Sequence, residues 1–239
     1  MRLDRDGRTP APPPPPTWSP VEAVPVFVIS VVAGFVLSLP ATILSCAGMY
    51  TVVAVAGELA LAGTVLGWVR YVNRGPLSAL GIPRSPLGDI VSGVVAGGTL
   101  VVAAGLLVSL VQVLANHVAG HSVAQPKQVD VCVHGGWLLA LGPIFILAAP
   151  FAEELFFRGF LYRGLRRRFS MWPAAVMSGA IFGLAHYQSP SYLLLIPGLA
   201  VVGVGLALLL EWRQSLLATM AAHATFNLVG YLFIALPRR

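Results

Sequence analysis

The chain has 239 residues, of which 57% are hydrophobic and only 10% are charged, and its mean hydropathy is +0.82. A soluble domain carries about a quarter charged residues, so this chain could not cover a water-facing surface. The formal net charge is +6, but the basic residues border apolar runs, which is typical of membrane topology signals. The composition predicts an integral membrane protein whose partner is the lipid bilayer, and it argues against nucleic acid.

The N-terminal segment, residues 1–20, contains five consecutive prolines, Pro12 to Pro16. Such a run favours the polyproline II conformation and cannot pack a core. No short apolar stretch with a small-residue cleavage site follows it, so it does not resemble a signal peptide. We expect residues 1–20 to form a disordered cytoplasmic tail and residues 21–239 to form a transmembrane helical domain.

A helix that crosses the bilayer needs about 20 apolar residues. Seven stretches reach or approach this length, and the fifth is short and ends in polar residues. They are Val21–Leu44, Met49–Val69, Ile90–Ala115, Trp137–Leu161, Met171–Tyr187, Tyr192–Leu210 and Ser215–Leu236. The sequence therefore predicts an all-α fold, a polytopic bundle of about seven transmembrane helices.

Charge placement predicts the orientation of this bundle, because cytoplasmic loops collect Lys and Arg. Alternate connections hold most of the arginines, whereas the other side holds three basic residues. The richer side has Arg2, Arg5, Arg8, Arg70, Arg74, Arg84, Arg163, Arg166, Arg167, Arg168 and Arg213, and the poorer side has Lys127, Arg238 and Arg239. We expect a multi-pass protein of the cell membrane with a cytoplasmic N-terminus.

Two further residue types carry weaker signals. The cysteines Cys46 and Cys132 lie in or beside apolar stretches without metal-ligand spacing, which favours inert thiols over a disulfide. The long external connection contains His117, His121 and His134. Their spacing matches no compact metal site, so we interpret this segment as a solvated loop.

Ionisable groups inside a hydrocarbon segment cost at least ~2.5 kcal/mol each on insertion scales, which makes them functional candidates. Five such groups and one polar neighbour stand out in the fourth, fifth and seventh spans. They are Glu153, Glu154, Arg158, His186, His223 and Asn227.

Helix geometry separates the two adjacent glutamates. Glu154 and Arg158 are four residues apart on one face, which suits an ion pair, whereas Glu153 points about 100° away and has no obvious partner. At ~1.5 Å per residue, Glu153 and His223 both lie about 15 Å from cytoplasmic arginines, near the middle of the bilayer. Any one of these groups alone suits a structural role, but their similar depth predicts a functional cluster. Glu58, in the second span, either bridges helices or lines the same cavity, and we favour the structural role.

Three short motifs carry a family resemblance. The segment 153–161, EELFFRGFL, has two glutamates and an arginine four positions after the second. Phe182 and His186 are four apart, as are His223 and Asn227. These motifs, in this order and each on its own apolar helix, resemble those of the CAAX-protease and bacteriocin-processing (CPBP) family of intramembrane peptidases, which includes the type II CAAX prenyl endopeptidases. The resemblance covers the chain from about Trp137 to the C-terminus.

The resemblance implies an intramembrane endopeptidase, and the residue types suit that reaction. Peptide hydrolysis needs an activated water and stabilisation of the oxyanion. Glu153 would take a proton from water, and His186 would help to position that water. His223 and Asn227, on one helix face, would donate hydrogen bonds to the oxyanion. The implied partner is a peptide or a membrane-anchored protein substrate.

The same residues suggest a role for the pair of Arg158 and Glu154, and they bear on whether a metal is present. Arg158 would hold Glu154 in place and offset its charge. Glu153, His186 and His223 have the ligand types for zinc with a water in the fourth position, yet a metal-free glutamate mechanism uses the same residues. Both alternatives stay open, either no cofactor or a divalent metal such as zinc, with a preference for the metal-free mechanism.

Two other classes of function are compatible with buried charges. A proton-coupled transporter or channel uses Glu, Arg and His as a relay, but such proteins are built from repeated halves, and this sequence has no internal repeat. A non-catalytic immunity or scaffold member of the family is the other alternative, and the intact motifs argue against it.

Overall fold

The computed structural model describes residues 13–81, 87–124 and 135–236, and in these ranges the chain is helical without strands. Seven apolar helices follow one another along the chain. They are α1 (Ala23–Ser38), α2 (Cys46–Gly67), α3 (Leu87–Ala119), α4 (Gly136–Arg166), α5 (Met171–Ala185), α6 (Ile196–Arg213) and α7 (Leu216–Ala235). Short 3-10 turns extend α1 at both ends (Pro20–Glu22 and Leu39–Ile43) and occur at Leu77–Leu80 and Pro190–Leu194, and a π turn at Trp68–Val72 extends α2.

Six of these helices, counted with their extensions, are long and apolar enough to cross a membrane. The exception is α5, which has 15 residues and spans only about 22 Å. It ends where the sequence turns polar, next to His186 and Gln188. The predicted all-α, polytopic bundle is confirmed, including its short fifth helix.

Helix α4 lies at the centre of the bundle and contacts α1, α2, α5, α6 and α7. It is continuous, but two π-helical segments, Ile144–Ala148 and Leu155–Tyr162, interrupt its α-helical geometry. Such segments re-aim side chains and release backbone carbonyls, and they are frequent at functional sites. The α-helical part between them, Ala149–Glu154, carries the two glutamates.

The other helices pack in pairs, α1 with α2, α3 with α7, and α5 with α6. Small residues allow close approach at two of these contacts, as is usual in membranes. A Cβ added at Gly97 of α3 would lie 2.4 Å from the Ala222 carbonyl oxygen of α7. A Cβ added at Gly203 of α6 would lie 2.6 Å from the Gly179 Cα of α5. These contacts fix the helices that carry the predicted histidines.

Part of the proline-rich segment packs on the bundle. The side chain of Trp18 is fully buried, its ring stacks on that of Phe160 at 4.9 Å between centroids, and its Nε1 donates a hydrogen bond to the Phe160 carbonyl oxygen at 2.8 Å. Arg167 donates to the Trp18 carbonyl oxygen and Arg163 to that of Pro14. The packed chain thus begins before the predicted boundary at residue 21, and residues 1–12 lie outside the described residues.

The two ends of the bundle differ in chemistry. At the end where Trp18 packs, the buried Asp89 accepts hydrogen bonds from Arg213 at 2.9 Å and Ser215 at 2.8 Å. At the opposite end, Cys46 begins α2 and is disulfide-bonded, so the expectation of an inert thiol is wrong for this residue. Cys132, the only other cysteine of the chain, lies outside the described residues.

Candidate active site

The predicted ion pair between Glu154 and Arg158 is present and is sealed inside the bundle. The Arg158 Nη1 lies 2.9 Å from the Glu154 Oε1, and both side chains are fully buried. Arg158 also donates to the Gly203 carbonyl oxygen of α6 at 3.1 Å, and its guanidinium carbon lies 4.5 Å from the centre of the Phe182 ring. A desolvated guanidinium over an aromatic face is stabilised by cation–π attraction, so α5 and α6 together hold this cation.

His223 connects the ion pair to the second glutamate. Its Nδ1 lies 2.9 Å from the Glu154 Oε1. Since Arg158 keeps Glu154 in its carboxylate form, the Nδ1 carries the proton and donates. The other ring nitrogen, Nε2, lies 3.9 Å from the Glu153 Oε2. His223 therefore presents Nε2 to Glu153 in a fixed orientation.

His186 approaches the same carboxylate from α5. It caps the C-terminus of this short helix, and its Nδ1 lies 2.8 Å from the Phe182 carbonyl oxygen. A carbonyl only accepts, so this nitrogen also carries the proton. Its Nε2 lies 3.8 Å from the Glu153 Oε2. The Phe182 ring separates the two imidazoles, with centroids 4.7 Å from His186 and 5.5 Å from His223.

Glu153 is thus the meeting point of three helices. Its Oε2 is buried and has no hydrogen-bond partner within the described residues, and the two Nε2 atoms are too distant for direct hydrogen bonds. A small molecule that forms bonds of about 2.8 Å would bridge such gaps. The exposed fraction of the Glu153 side chain is 16%, against zero for Glu154. As helix geometry predicts, only Glu153 is open to a reactant.

The opening is a cavity of about 620 Å³ between α1, α2, α4 and the end of α5. Glu153 and His186 form its polar end, and large apolar side chains such as Phe27 and Leu61 form much of its wall. Glu58 of α2 also lines it. From the sequence we favoured a structural bridge between helices for Glu58. The structure instead supports the other alternative, in which Glu58 lines the same cavity.

Asn227 binds the backbone of α4. Its Nδ2 donates to the Phe145 carbonyl oxygen at 2.8 Å, in the first π-helical segment of α4, where a carbonyl is free of the regular α-helical pattern. The second amide hydrogen is not used by this bond. This bond connects α7 to α4 at Phe145, which lies about two helical turns before Glu153 along α4.

The arrangement around Glu153 is wider than a zinc site. Tetrahedral zinc with ligand bonds of about 2.0–2.2 Å places neighbouring donor atoms about 3.4 Å apart. In the described ranges no group of three or more His, Cys, Asp or Glu side chains has a geometry that could hold a metal ion. His117, which lies in the last turn of α3 and not in a loop, and His121 are exposed. His134 lies outside those ranges.

Sequence reasoning missed several residues that support the site. Gly203 supplies a carbonyl to Arg158, and Ser178 donates to the Phe157 carbonyl oxygen in the second π-helical segment at 3.2 Å. Phe182 belongs to the second motif, but its contact with the Arg158 guanidinium was not predicted. The small residues Ser178, Gly179 and Gly183 occur at helical spacing on α5 and were the available signal for close packing there.

One protein family matches the part of the chain that contains these side chains. The model of the type II CAAX prenyl endopeptidase Rce1-like family matches residues 135–229, the range that contains all three motifs. This part of the chain is similar to the Rce1-like family, and the resemblance that the motifs indicated is confirmed. No curated protein and no solved structure matches the chain at a significant level. The protein is a multi-pass membrane protein, and its residues 135–229 are similar to a family of CAAX-type proteases.

Proposed function

We propose that this protein is an intramembrane endopeptidase in which Glu153 activates the attacking water. The observation that carries the proposal is the position of the Glu153 Oε2, within 3.9 Å of the Nε2 atoms of both His186 and His223 and at the end of a cavity. The similarity of residues 135–229 to the Rce1-like family supports a peptidase over a transporter.

The proposed reaction begins with a water bound between Glu153 and His186. Glu153 takes one proton, and the oxygen forms a bond to the carbonyl carbon of the substrate peptide. The resulting tetrahedral intermediate collapses when the carbon–nitrogen bond breaks, and the protonated Glu153 gives its proton to the leaving amine. The carboxylate is thereby restored.

The negative charge on the tetrahedral oxygen needs hydrogen-bond donors. His223 already donates its Nδ1 proton to Glu154, and a second carboxylate faces its Nε2. In the proposed reaction His223 carries a proton on each ring nitrogen, and its Nε2 proton forms a hydrogen bond to the oxyanion. The free amide hydrogen of Asn227 is the second donor in this proposal. Arg158 keeps Glu154 ionised and so holds His223 in place.

We also propose that the N-terminus is cytoplasmic. The end of the bundle with Trp18 carries the described arginines outside Arg158, as cytoplasmic ends do. Cys46 begins α2 at the opposite end and is disulfide-bonded, and disulfides persist in oxidising compartments. The two observations support the same orientation independently.

The test is cleavage of membrane peptides by the purified protein. Glu153→Gln keeps the shape of the side chain but cannot accept the proton, so we expect the rate to fall by about 10²–10⁴-fold with an unchanged melting temperature. Glu211→Gln, which removes a carboxylate at the arginine-rich end, is the matched control and should remain active. Activity of Glu153→Gln within a few-fold of the wild type would make Glu154 the candidate base.

The same assay with and without EDTA tests the metal. The spacing of the three side chains favours activity that survives chelation. His186→Ala should lose activity to a similar degree as Glu153→Gln. If EDTA abolishes cleavage and zinc restores it, Glu153, His186 and His223 move together to bind the ion, and the water is activated by the metal.

A further inference from the structure

The cavity wall carries a carboxylate that the proposed reaction does not use. Glu58 lies on α2, and α2 packs against the part of α4 that holds Glu153. Both glutamates line the same cavity. The Oε2 of Glu58 is buried, and no group in the described part of the chain forms a hydrogen bond with it.

The charge around Glu58 is unbalanced. No Lys or Arg is among the residues that line the cavity, and Arg158 is already bound to Glu154 and to a backbone carbonyl. Three other carboxylates of the bundle differ from Glu58, because each of them binds an arginine. These pairs are Glu154–Arg158, Asp89–Arg213 and Glu211–Arg166.

A carboxylate on an apolar wall is stabilised by a cation, and here the protein supplies none among the described residues. We propose that Glu58 binds the basic side chain, lysine or arginine, of the peptide substrate that Glu153 cleaves. This inference rests on the proposed function and adds to it a residue that determines specificity. Glu58 would select the substrate, and Glu153 would cut it.

The shape of the cavity suits such a side chain. Lysine and arginine bury their aliphatic stems against apolar surface while the charged group reaches a polar partner. Here the stem would pass Phe27, Val31 and Leu61, and the charged group would reach Glu58. The volume of about 620 Å³ lies within the usual range of ligand sites, about 300–1,000 Å³.

The experiment uses quenched fluorescent peptides anchored in detergent micelles. The peptides differ at one position, which carries lysine, norleucine or glutamate and is moved along both sides of the scissile bond. At one position we expect the wild type to prefer lysine to norleucine by at least about tenfold in kcat/KM. Glu58→Gln should abolish that preference while it cleaves the norleucine peptide at nearly the wild-type rate.

Two further variants control for shape and charge. Thr42→Val alters the same cavity wall without a change of charge and should keep the lysine preference. Glu58→Lys should reverse the preference toward the glutamate peptide. A wild type that cleaves lysine and norleucine peptides equally at every position overturns the inference, and so does a Glu58→Gln variant that keeps the preference or slows all peptides alike.

A binding measurement separates this inference from the proposed function. Fluorescence anisotropy with the same peptides, labelled and uncleaved, is read on the wild type and on Glu58→Gln. Lysine-selective binding that requires Glu58, without any cleavage, would support the role of Glu58 and contradict the peptidase. Cleavage without lysine selectivity would support the peptidase and contradict the role of Glu58.

Discussion

Arg158 neutralises Glu154 within the bundle and does not line the cavity. Its partners are a carboxylate, a carbonyl oxygen and an aromatic ring, from α4, α6 and α5. Removal of one member of a buried ion pair is more costly than replacement of both, because a lone charge stays behind. The pair is therefore a structural support of His223, which binds the same carboxylate.

This argument predicts the behaviour of two variants. Arg158→Ala leaves Glu154 buried and unpaired and should destabilise the protein by about 3–5 kcal/mol. The double variant, Glu154→Gln with Arg158→Met, contains no lone charge and should melt at a higher temperature than Arg158→Ala in the same detergent. A double variant that melts lower would show that Arg158 stabilises the bundle mainly through α5 and α6.

At the residue scale, local geometry was predictable and distant contacts were not. The separation of Glu153 from Glu154 follows from helical rotation alone. The bonds from Arg158 to the Gly203 carbonyl and from Asn227 to the Phe145 carbonyl join residues 45 and 82 positions apart. The periodicity of the sequence does not predict which backbone carbonyl on another helix a polar side chain will bind.

At the scale of elements, α3 offers a matched pair of neighbouring glycines. A Cβ at Gly97 would meet the Ala222 carbonyl oxygen at 2.4 Å, whereas a Cβ at Gly98 has no neighbour within 4 Å. Gly97→Ala should push α3 from α7 and destabilise the bundle by about 1–3 kcal/mol. Gly98→Ala should leave the melting temperature unchanged or raise it, because alanine favours helix. Equal melting temperatures for the two variants would mean that α3 and α7 separate without cost.

Hydropathy predicted the helices, but it did not predict their internal geometry. The sequence indicates the span around Glu153 because a run of apolar residues must satisfy its backbone inside lipid. In the π-helical segments Ile144–Ala148 and Leu155–Tyr162, Asn227 and Ser178 each donate a hydrogen bond to a backbone carbonyl oxygen. Pro143 and Pro150 flank the first of these segments, but the partners of its carbonyls come from packing between helices.

At the scale of the whole molecule, the orientation in the membrane is the main prediction still to be tested. Arg168 is exposed after α4 at the arginine-rich end, and His121 is exposed after α3 at the other end. In intact cells, an impermeant thiol reagent should label His121→Cys and should label Arg168→Cys only after the membrane is opened. Equal labelling of the two variants from outside would contradict the predicted topology.

Trp18 and Phe160 are 142 positions apart in the chain, which bears on how the protein is made. The chain is synthesised from its N-terminus, so the indole finds its stacking partner only after four of the seven helices have been synthesised. Until then α1 lacks its attachment to α4, and Trp18 stays at the membrane surface, where tryptophan is stable. Trp18 is thus synthesised early and reaches its final contacts late.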